Sequence, residues 1–313
     1  MKFDKISTQS KFFGDEMFLS IDLGSNTVRF LLVDENLRQI KVYENIIGAA
    51  HNLNKTGKIS DQAIDALYKT LEKADNLFNF KAQKHQGVAT GAWRVAKNAN
   101  AIIADIKEKF GLNFCIIEGK SEANLTFLGV KNALKREGLD LKKCAFIDLG
   151  GASTEIGNKD RHKSFNFGII TFYENFKILD KMQEAAKTTC MEAKIFLHSL
   201  NARHIILTSG VPTTMAAYKI GQTYYNYDAS KINKTRLSLD DIKSLTAEFL
   251  EISAQKADEI FGKNRQMLLV AGGVLLAEIL KECDAQLIVI DDGLREGVAA
   301  AYKDGNLSKF LIK

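Results

Sequence analysis

The chain is poor in the residues that mark several classes of protein. It has 313 residues but a single proline, Pro212, so proline-rich linkers and collagen-like repeats are excluded. Its four cysteines, Cys115, Cys144, Cys190 and Cys283, show no CxxC or Cys/His spacing, which argues against structural zinc. The first three lie in apolar segments, and this predicts buried thiols in a reducing compartment.

Long hydrophobic runs are also lacking. The longest mostly apolar run, residues 267–280, is too short to span a bilayer. Residues 1–16 are polar and lack the apolar stretch of a signal peptide. We therefore predict a cytoplasmic protein that does not bind membranes, with residues 1–16 as an N-terminal extension.

The composition is that of a folded protein, with 46% hydrophobic and 26% charged residues. A chain of this length suggests two domains. The net charge of +5 favours anionic partners, but a solvated surface with a slight excess of lysine is the simpler explanation. The charge is modest and spread along the chain, so we do not expect nucleic-acid binding.

The order of predicted elements repeats. Segments 17–23, 28–35 and 38–46 are rich in β-forming residues and predict a three-stranded meander. Alternating helices and strands follow, beginning with an amphipathic helix capped by Ser60. After the polar stretch 135–143 a β-strand, a glycine turn and further strands begin again.

The two beginnings share a motif. FLSIDLGSNT and AFIDLGGAST place Asp22 and Asp148 at equivalent positions. We predict an α/β fold of two duplicated βββαβα domains that face each other across a cleft. Domain I would span residues 17–134 and domain II residues 135–296, with a C-terminal helix at about 297–313 that packs back on domain I.

Each IDLG turn has the composition of an anion site. A glycine after a strand allows a tight bend, and the amides of such a turn form a concavity for anions together with Ser or Thr hydroxyls. Facing each other, two such turns would hold a chain of phosphates. Neither GxxxxGK[ST] nor GxGxxG occurs, so the usual P-loop and Rossmann solutions are excluded. The candidate phosphate-binding residues are Gly24, Ser25, Asn26 and Thr27 in the first turn and Gly150, Gly151, Ala152, Ser153 and Thr154 in the second.

The acidic strand ends suggest a metal. Asp22 and Asp148 end buried strands, where an unpaired carboxylate is costly. They would hold Mg²⁺ directly or through water, or each would accept hydrogen bonds from turn amides. A third glycine turn, with Ser209 and Gly210, precedes a helix. It would bind phosphate at the helix N-terminus, or Ser209 or Thr213 would cap that helix.

The ordered set of motifs resembles the exopolyphosphatase/guanosine pentaphosphate phosphohydrolase (Ppx/GppA) family of the actin-like ATPase superfamily. The resemblance implies actin-like (ribonuclease H-like) domains in a short two-domain form, with polyphosphate or guanosine penta/tetraphosphate as substrate. It also makes a homodimer reasonable. The matching segments, from residue 18 to about 300, include IDLGSNTVRFLLV, ATGAWRVAKNA, IIEGKSEANLTFLGV, FIDLGGASTEI, AGGVLLAEIL and DDGLREGVA.

The resemblance also implies roles for individual residues. Glu122 matches the acid that activates or orients the attacking water, although on residues alone it is an ordinary acid of a helix first turn. Glu155 matches a second acid that assists water or metal positioning. Arg29 and Arg94 match arginines that contact phosphate, a task suited to the planar guanidinium. Arg295 is expected to be structural.

Several positions depart from the family pattern. Lys120 and Ser121 replace acidic residues, and Ala152 replaces a glycine. Thr171 replaces an arginine, and Met267 replaces an aspartate. Lys120 adds positive charge near the cleft. These differences leave the substrate preference open.

Three functions are therefore considered. The first is a Mg²⁺-dependent phosphoanhydride hydrolase that removes terminal phosphate from polyphosphate, guanosine pentaphosphate or both. The second is a catalytically weak sensor that binds polyphosphate or an alarmone nucleotide. The third is an ATP-using kinase of the same superfamily.

Overall fold

Two mixed β-sheets form the framework of the computed structural model, which describes residues 17–140 and 142–311. The extension predicted at residues 1–16 lies outside the described residues. The first sheet contains β1 (Phe18–Leu23), β2 (Thr27–Val33), β3 (Gln39–Ile46), β4 (Lys84–Ala89) and β5 (Phe114–Ile116). The second contains β6 (Cys144–Leu149), β7 (Thr154–Gly157), β8 (His162–Phe165), β9 (His204–Thr208), β10 (Arg236–Leu237) and β11 (Gln286–Val289).

Fourteen α-helices connect and cover these sheets in the described part of the chain. Those of the first half are α1 (Leu53–Thr56), α2 (Asp61–Phe78), α3 (Ala92–Val95), α4 (Ala99–Phe110) and α5 (Gly119–Arg136). The others are α6 (Ile169–Phe176), α7 (Leu179–Thr189), α8 (Met191–Ser199), α9 (Gly210–Lys219), α10 (Ala229–Ile232), α11 (Leu239–Glu251), α12 (Ala254–Phe261), α13 (Gln266–Ile279) and α14 (Leu294–Lys303). Short 3-10 helices span Phe80–Ala82 and Leu307–Phe310.

The two sheets have the same strand order, apart from one added edge strand. The first runs β3-β2-β1-β4-β5 and the second β10-β11-β9-β6-β7-β8. In each, three antiparallel strands are followed by strands parallel to the central one. The predicted α/β class with duplicated βββαβα halves is confirmed. The two-residue β10 was not predicted.

The register of the strands places the predicted site residues in pairs. Asp22 lies opposite Arg29 across the β1–β2 hairpin, and Asp148 lies opposite Glu155 across the β6–β7 hairpin. Both aspartates are near the carboxyl ends of central strands. A polar side chain here is surrounded by the core, because every residue of β1 is buried.

Helix α5 lies between the two sheets. Val130 packs with Phe146 of the second sheet. Leu125 packs with Val88 of the first sheet and Val298 of α14. Since α5 is clamped from both sides, its first turn is held at the junction of the halves. The domain boundary after residue 134 stays a prediction.

Two glycines allow α5 and α14 to pack closely. A Cβ atom at Gly129 would overlap the carbonyl of Gly293, and one at Gly297 would overlap the carbonyl of Leu125. Side chains at either position would push the helices apart. The close approach fixes α14, at the end of the second half, against the first sheet.

One helical segment is interrupted, and one local prediction was wrong. Residues 92–110 form two separate helices, α3 and α4. Asn98 interrupts the pattern because its side chain accepts a hydrogen bond from the Ile59 amide and donates one to the Ile59 carbonyl, both at 2.9 Å. Cys115, expected to be buried, is half-buried because β5 is an edge strand.

Two further observations concern the four cysteines and the hydrophobicity of the helices. All four thiols are free, and Cys144 and Cys190 are buried. Among residues 17–140 and 142–311, no helix has the length and hydrophobicity needed to cross a membrane.

Candidate active site

The two glycine turns are built in the same way. The Gly24 amide donates a hydrogen bond to the Thr27 carbonyl, and the Gly150 amide donates one to the Ser153 carbonyl, both at 3.0 Å. Each turn follows the central strand of its sheet and leads into a hairpin. The repeated sequence motif therefore folds into a repeated local structure.

The turns also meet. A Cβ atom built at Gly151 would lie 3.0 Å from the Cβ of Ser25 and 3.5 Å from the Asn26 amide nitrogen. The amides of Ser25, Asn26, Gly151 and Ala152 donate none of the hydrogen bonds found among the described residues. Adjacent turns with free amides form a concavity suited to an anion.

Neighbouring elements hold the first turn in place. The hydroxyl of Ser25 accepts a hydrogen bond from the Ala92 amide at 2.9 Å. The indole of Trp93 donates one to the Gly24 carbonyl at 3.1 Å. The segment between β4 and α3 thus supports the turn, and the Ser25 side chain has a structural role in this arrangement.

The second turn is supported from two directions. The Leu149 amide donates to the Ser209 hydroxyl at 3.2 Å, and the Ile170 amide donates to the Gly151 carbonyl at 2.9 Å. Helix α6 therefore caps the turn carbonyls from its N-terminus, leaving the turn amides for other partners.

The third glycine turn does not provide the helix cap that one of the two predictions assigned to it. Ser209 forms no side-chain cap on α9, and the Thr213 hydroxyl donates to the Ser209 carbonyl at 2.7 Å. Ser209 has a φ of 85°, which L-residues rarely adopt. Its hydroxyl binds the end of β6, and Gly210 begins α9 next to the second turn.

Four carboxyl groups converge beside the turns. Burial raises the pKa of Asp22 to about 7, opposed by the Arg29 charge and reinforced by Glu122 and Asp148. Burial and the Glu122 charge raise the pKa of Asp148 to about 6. Burial, Glu122 and Asp148 raise the pKa of Glu155 well above its ordinary value. Burial and mutual repulsion within the cluster therefore favour the protonated carboxyl forms.

Arg94 connects Glu122 to both halves. Its guanidinium forms an ion pair with Glu122 and donates to the Ile117 carbonyl at 3.2 Å and to the Ser153 hydroxyl at 3.3 Å. Burial raises the pKa of Glu122, whereas the Arg94 ion pair and a Thr90 hydrogen bond oppose this effect. Glu122 therefore faces the turns from the first turn of α5.

The second acid and the first arginine have different surroundings. Glu155 is 1% exposed and accepts a hydrogen bond from the Ser164 hydroxyl at 2.7 Å. The Nε atom of Arg29 lies 3.4 Å from Oε2 of Glu44 across the β2–β3 hairpin. Arg295, expected to be structural, pairs with Glu296 at 2.6 Å at the start of α14.

The aspartates have a donor set that suits a hard cation. Asp22 Oδ1 is buried without a hydrogen-bond partner, so the alternative of a turn-amide acceptor is wrong for this oxygen. Asp148 accepts a long hydrogen bond, 3.5 Å, from Thr126. No group of three or more His, Cys, Asp or Glu side chains in the described segments is arranged to hold a metal. A cation here would take two carboxylates and fill its shell with water and phosphate oxygens, as Mg²⁺ does.

The departures from the family pattern lie in α5, the second glycine turn, α6 and α13. Lys120 is exposed at the start of α5, beside the half-buried Ser121. The Thr171 hydroxyl donates to the Gly168 carbonyl at 3.2 Å. Ala152 is half-buried in the second turn, and Met267 packs against the core of the second half.

Sequence reasoning missed three polar partners. Thr90, Thr126 and Ser164 bind Glu122, Asp148 and Glu155, respectively. Thr126 follows Glu122 by one helical turn, so helical periodicity gave a signal for it. No local pattern distinguishes the other two, because the tertiary fold brings them to the carboxylates.

Fold and site together define an actin-like α/β protein with an acidic site beside paired glycine turns. Residues 37–303 match the Ppx/GppA phosphatase family. The chain belongs to that family.

Solved structures agree with this assignment. The chain is 27% identical to the Aquifex aeolicus PPX-GPPA enzyme, covering 92% of this chain and 99% of that one with a TM-score of 0.73. It is 23% identical to an exopolyphosphatase from Cytophaga hutchinsonii, covering 93% and 98% with a TM-score of 0.82. The second likeness establishes the shared fold alone.

Proposed function

We propose that the protein is a Mg²⁺-dependent phosphoanhydride hydrolase that releases terminal orthophosphate from inorganic polyphosphate, guanosine pentaphosphate or both. The observation that carries the proposal is the position of Glu122. This buried carboxylate lies on a helix first turn and is joined through Arg94 to the second glycine turn. A base and an anion concavity are thus adjacent.

The substrate would bind along the two turns. The free amides of Ser25, Asn26, Gly151 and Ala152 would donate to non-bridging phosphate oxygens, and Arg94 would add a charged donor. Asp22 and Asp148 would hold Mg²⁺, which supplies charge neutralisation of the phosphates when bound. Its need for few protein ligands agrees with the two-carboxylate donor set.

Glu122 would then activate water. The water oxygen attacks the terminal phosphorus as the bridging P–O bond breaks. The shortened polyphosphate or nucleotide departs with the bonding electrons, and the terminal group becomes orthophosphate. The proton released by the water passes to the Glu122 carboxylate. Its raised pKa makes Glu122 a stronger base than an exposed glutamate. Glu155, whose pKa burial and neighbouring charges raise well above its ordinary value, would orient the water.

Glu122→Gln tests the proposal. We expect phosphate release from polyphosphate or guanosine pentaphosphate to fall by about 10²- to 10⁴-fold, because the variant lacks the base. Glu108→Gln makes the same change at an exposed position of α4 and should keep wild-type activity. Near-full activity of Glu122→Gln, at an unchanged melting temperature, would contradict the assignment.

The same assay separates the other two functions. Tight binding of both substrates without turnover by the wild type would support a sensor. Product formation that requires a phosphate acceptor and ATP would support a kinase. The proposed Arg29, Ser209 and Gly210 phosphate contacts, the homodimer and the cytoplasmic location stay predictions.

A further inference from the structure

A pocket of about 380 Å³ opens between the first turn of α5 and strand β8. We call it the α5–β8 pocket. Its lining includes the basic side chains Arg94, Lys120, His162 and Lys163, with one acid, Glu118. The volume falls within the range of ligand pockets, roughly 300–1,000 Å³.

The pocket adjoins the carboxylate cluster without including it. Arg94 lines the pocket and binds Glu122. Ser164 lines it and donates to Glu155 at 2.7 Å. Asp22, Asp148 and the two glycine turns are not part of the lining. The pocket therefore adjoins the site through Arg94 and Ser164.

Helix α5 and strand β8 are closely packed where they line the pocket. A Cβ atom at Gly119 would lie 2.6 Å from the Cβ of Ser164, so a side chain there would displace β8 from α5. Arg94 reaches across the boundary between the pocket and the site, because it lines the pocket and contacts both Glu122 and Ser153. A shift of its guanidinium would join the two spaces.

Basic side chains outnumber acidic ones in the pocket lining. Lys120 is exposed and forms no ion pair with the residues described. Lys163 lies 3.1 Å from Glu192, which reduces its contribution. His162 packs against Phe127 and Phe146, and its Nε2 atom is buried without a partner. Arg94 is likewise paired, with Glu122, so Lys120 is the main source of positive charge, aided by the N-terminal dipole of α5.

Hydrolysis creates a need for such a space. Each turnover would leave orthophosphate beside Glu122 and Arg94 while the shortened substrate still occupies the turns. We propose that the α5–β8 pocket is the exit route of the orthophosphate product, which moves past Arg94 towards Lys120. This inference rests on the proposed hydrolase function.

Lys120→Glu tests the route because it places a negative charge at the mouth of the pocket. Under single-turnover conditions, chemical quenching measures all phosphate formed, and a fluorescent phosphate sensor measures only phosphate that has left the enzyme. We expect the quench trace to change less than about twofold and the sensor trace to lag by at least about fivefold more than in the wild type. Lys131→Glu, an exposed position on the same helix, should leave both traces unchanged.

The outcomes separate the two proposals. If the wild type forms no phosphate from either substrate in the quench, the proposed function fails, and the exit route fails with it. If the wild type forms phosphate but Lys120→Glu shows the wild-type lag, only the exit route is overturned. A slower quench trace without added lag would mean that the pocket holds substrate, and this also overturns the exit route.

Discussion

The two halves share a framework but differ at one register position of the hairpin. In each, a central strand carries an aspartate, and the same hydrogen bond closes the turn that follows. The residue opposite the aspartate is Arg29 in the first half and Glu155 in the second. Arg29 lowers the pKa of both Asp22 and Asp148. Duplication thus supplies two matching turns, and one divergent position places an arginine opposite one aspartate and a glutamate opposite the other.

The helices after the last strand of each half differ in a related way. In α14, the Glu296 carboxylate accepts a hydrogen bond from the Gly293 amide at 2.8 Å and so caps its own helix. In α5, no side chain caps the N-terminus, and Glu122 binds Arg94 instead. The two acids occupy similar first-turn positions. Only Glu122 is free of a capping role, which favours the catalytic interpretation over that of an ordinary helix acid.

In this comparison, the largest effect is expected from removing the aspartate that each half carries on its central strand. Asp22→Asn and Asp148→Asn should each lower kcat by about 100-fold or more and raise the Mg²⁺ concentration needed for half-maximal activity. Each variant removes one of the two carboxylates that are proposed to hold Mg²⁺. Phosphate release measured across a Mg²⁺ titration checks this.

The matched control is Asp65→Asn, an exposed aspartate of α2. It should keep the wild-type Mg²⁺ dependence. An unchanged Mg²⁺ requirement in both site variants would show that the cation, if required, binds elsewhere.

A smaller effect should separate the residues that differ between the hairpins. Arg29→Gln removes a charge that lowers the pKa of both aspartates, so the acid limb of the kcat/KM–pH profile should move up by about one unit. Glu155→Gln replaces a carboxyl group whose pKa burial and neighbouring charges raise well above its ordinary value. It should lower kcat by about tenfold through lost water orientation and leave the acid limb in place.

Arg38→Gln serves as the control for loss of an exposed positive charge in the first half. Its profile should overlay that of the wild type. If Arg29→Gln and Glu155→Gln shifted the acid limb equally, the electrostatic difference between the hairpins would be refuted.

The sequence predicted the repeated framework because its signals are local. The IDLG motif, the Ser60 cap and the strand alternation each reflect contacts within a few residues, and Ser60 does accept a hydrogen bond from Ala63. The Arg94 bridge to Ser153 and the support of Glu155 by Ser164 are tertiary. Family resemblance indicated which residues matter. Hydrophobic periodicity and secondary-structure propensity do not predict which side chains meet across two sheets.

The smallest expected effect concerns stability, and it again distinguishes the two aspartates. Burial raises the folded-state pKa of Asp22 to about 7 and that of Asp148 to about 6. Between the unfolded value, near 4, and these values, the folded protein binds a proton that the unfolded chain lacks. The stability from each group is therefore full below pH 4 and is lost as the pH rises through its folded pKa.

Asparagine at either position removes this dependence. Without Mg²⁺, the melting temperature of Asp22→Asn relative to the wild type should rise between pH 5 and pH 8, by roughly 2–4 °C for each kcal/mol involved. The difference for Asp148→Asn should be smaller and level off at lower pH, since its folded pKa is lower. If the melting temperature of each variant changed with pH as that of the wild type does, neither carboxyl group would destabilise the fold at neutral pH. A functional site that destabilises its own fold at neutral pH should regain that stability when Mg²⁺ binds, so Mg²⁺ should raise the melting temperature of the wild type more than that of either variant.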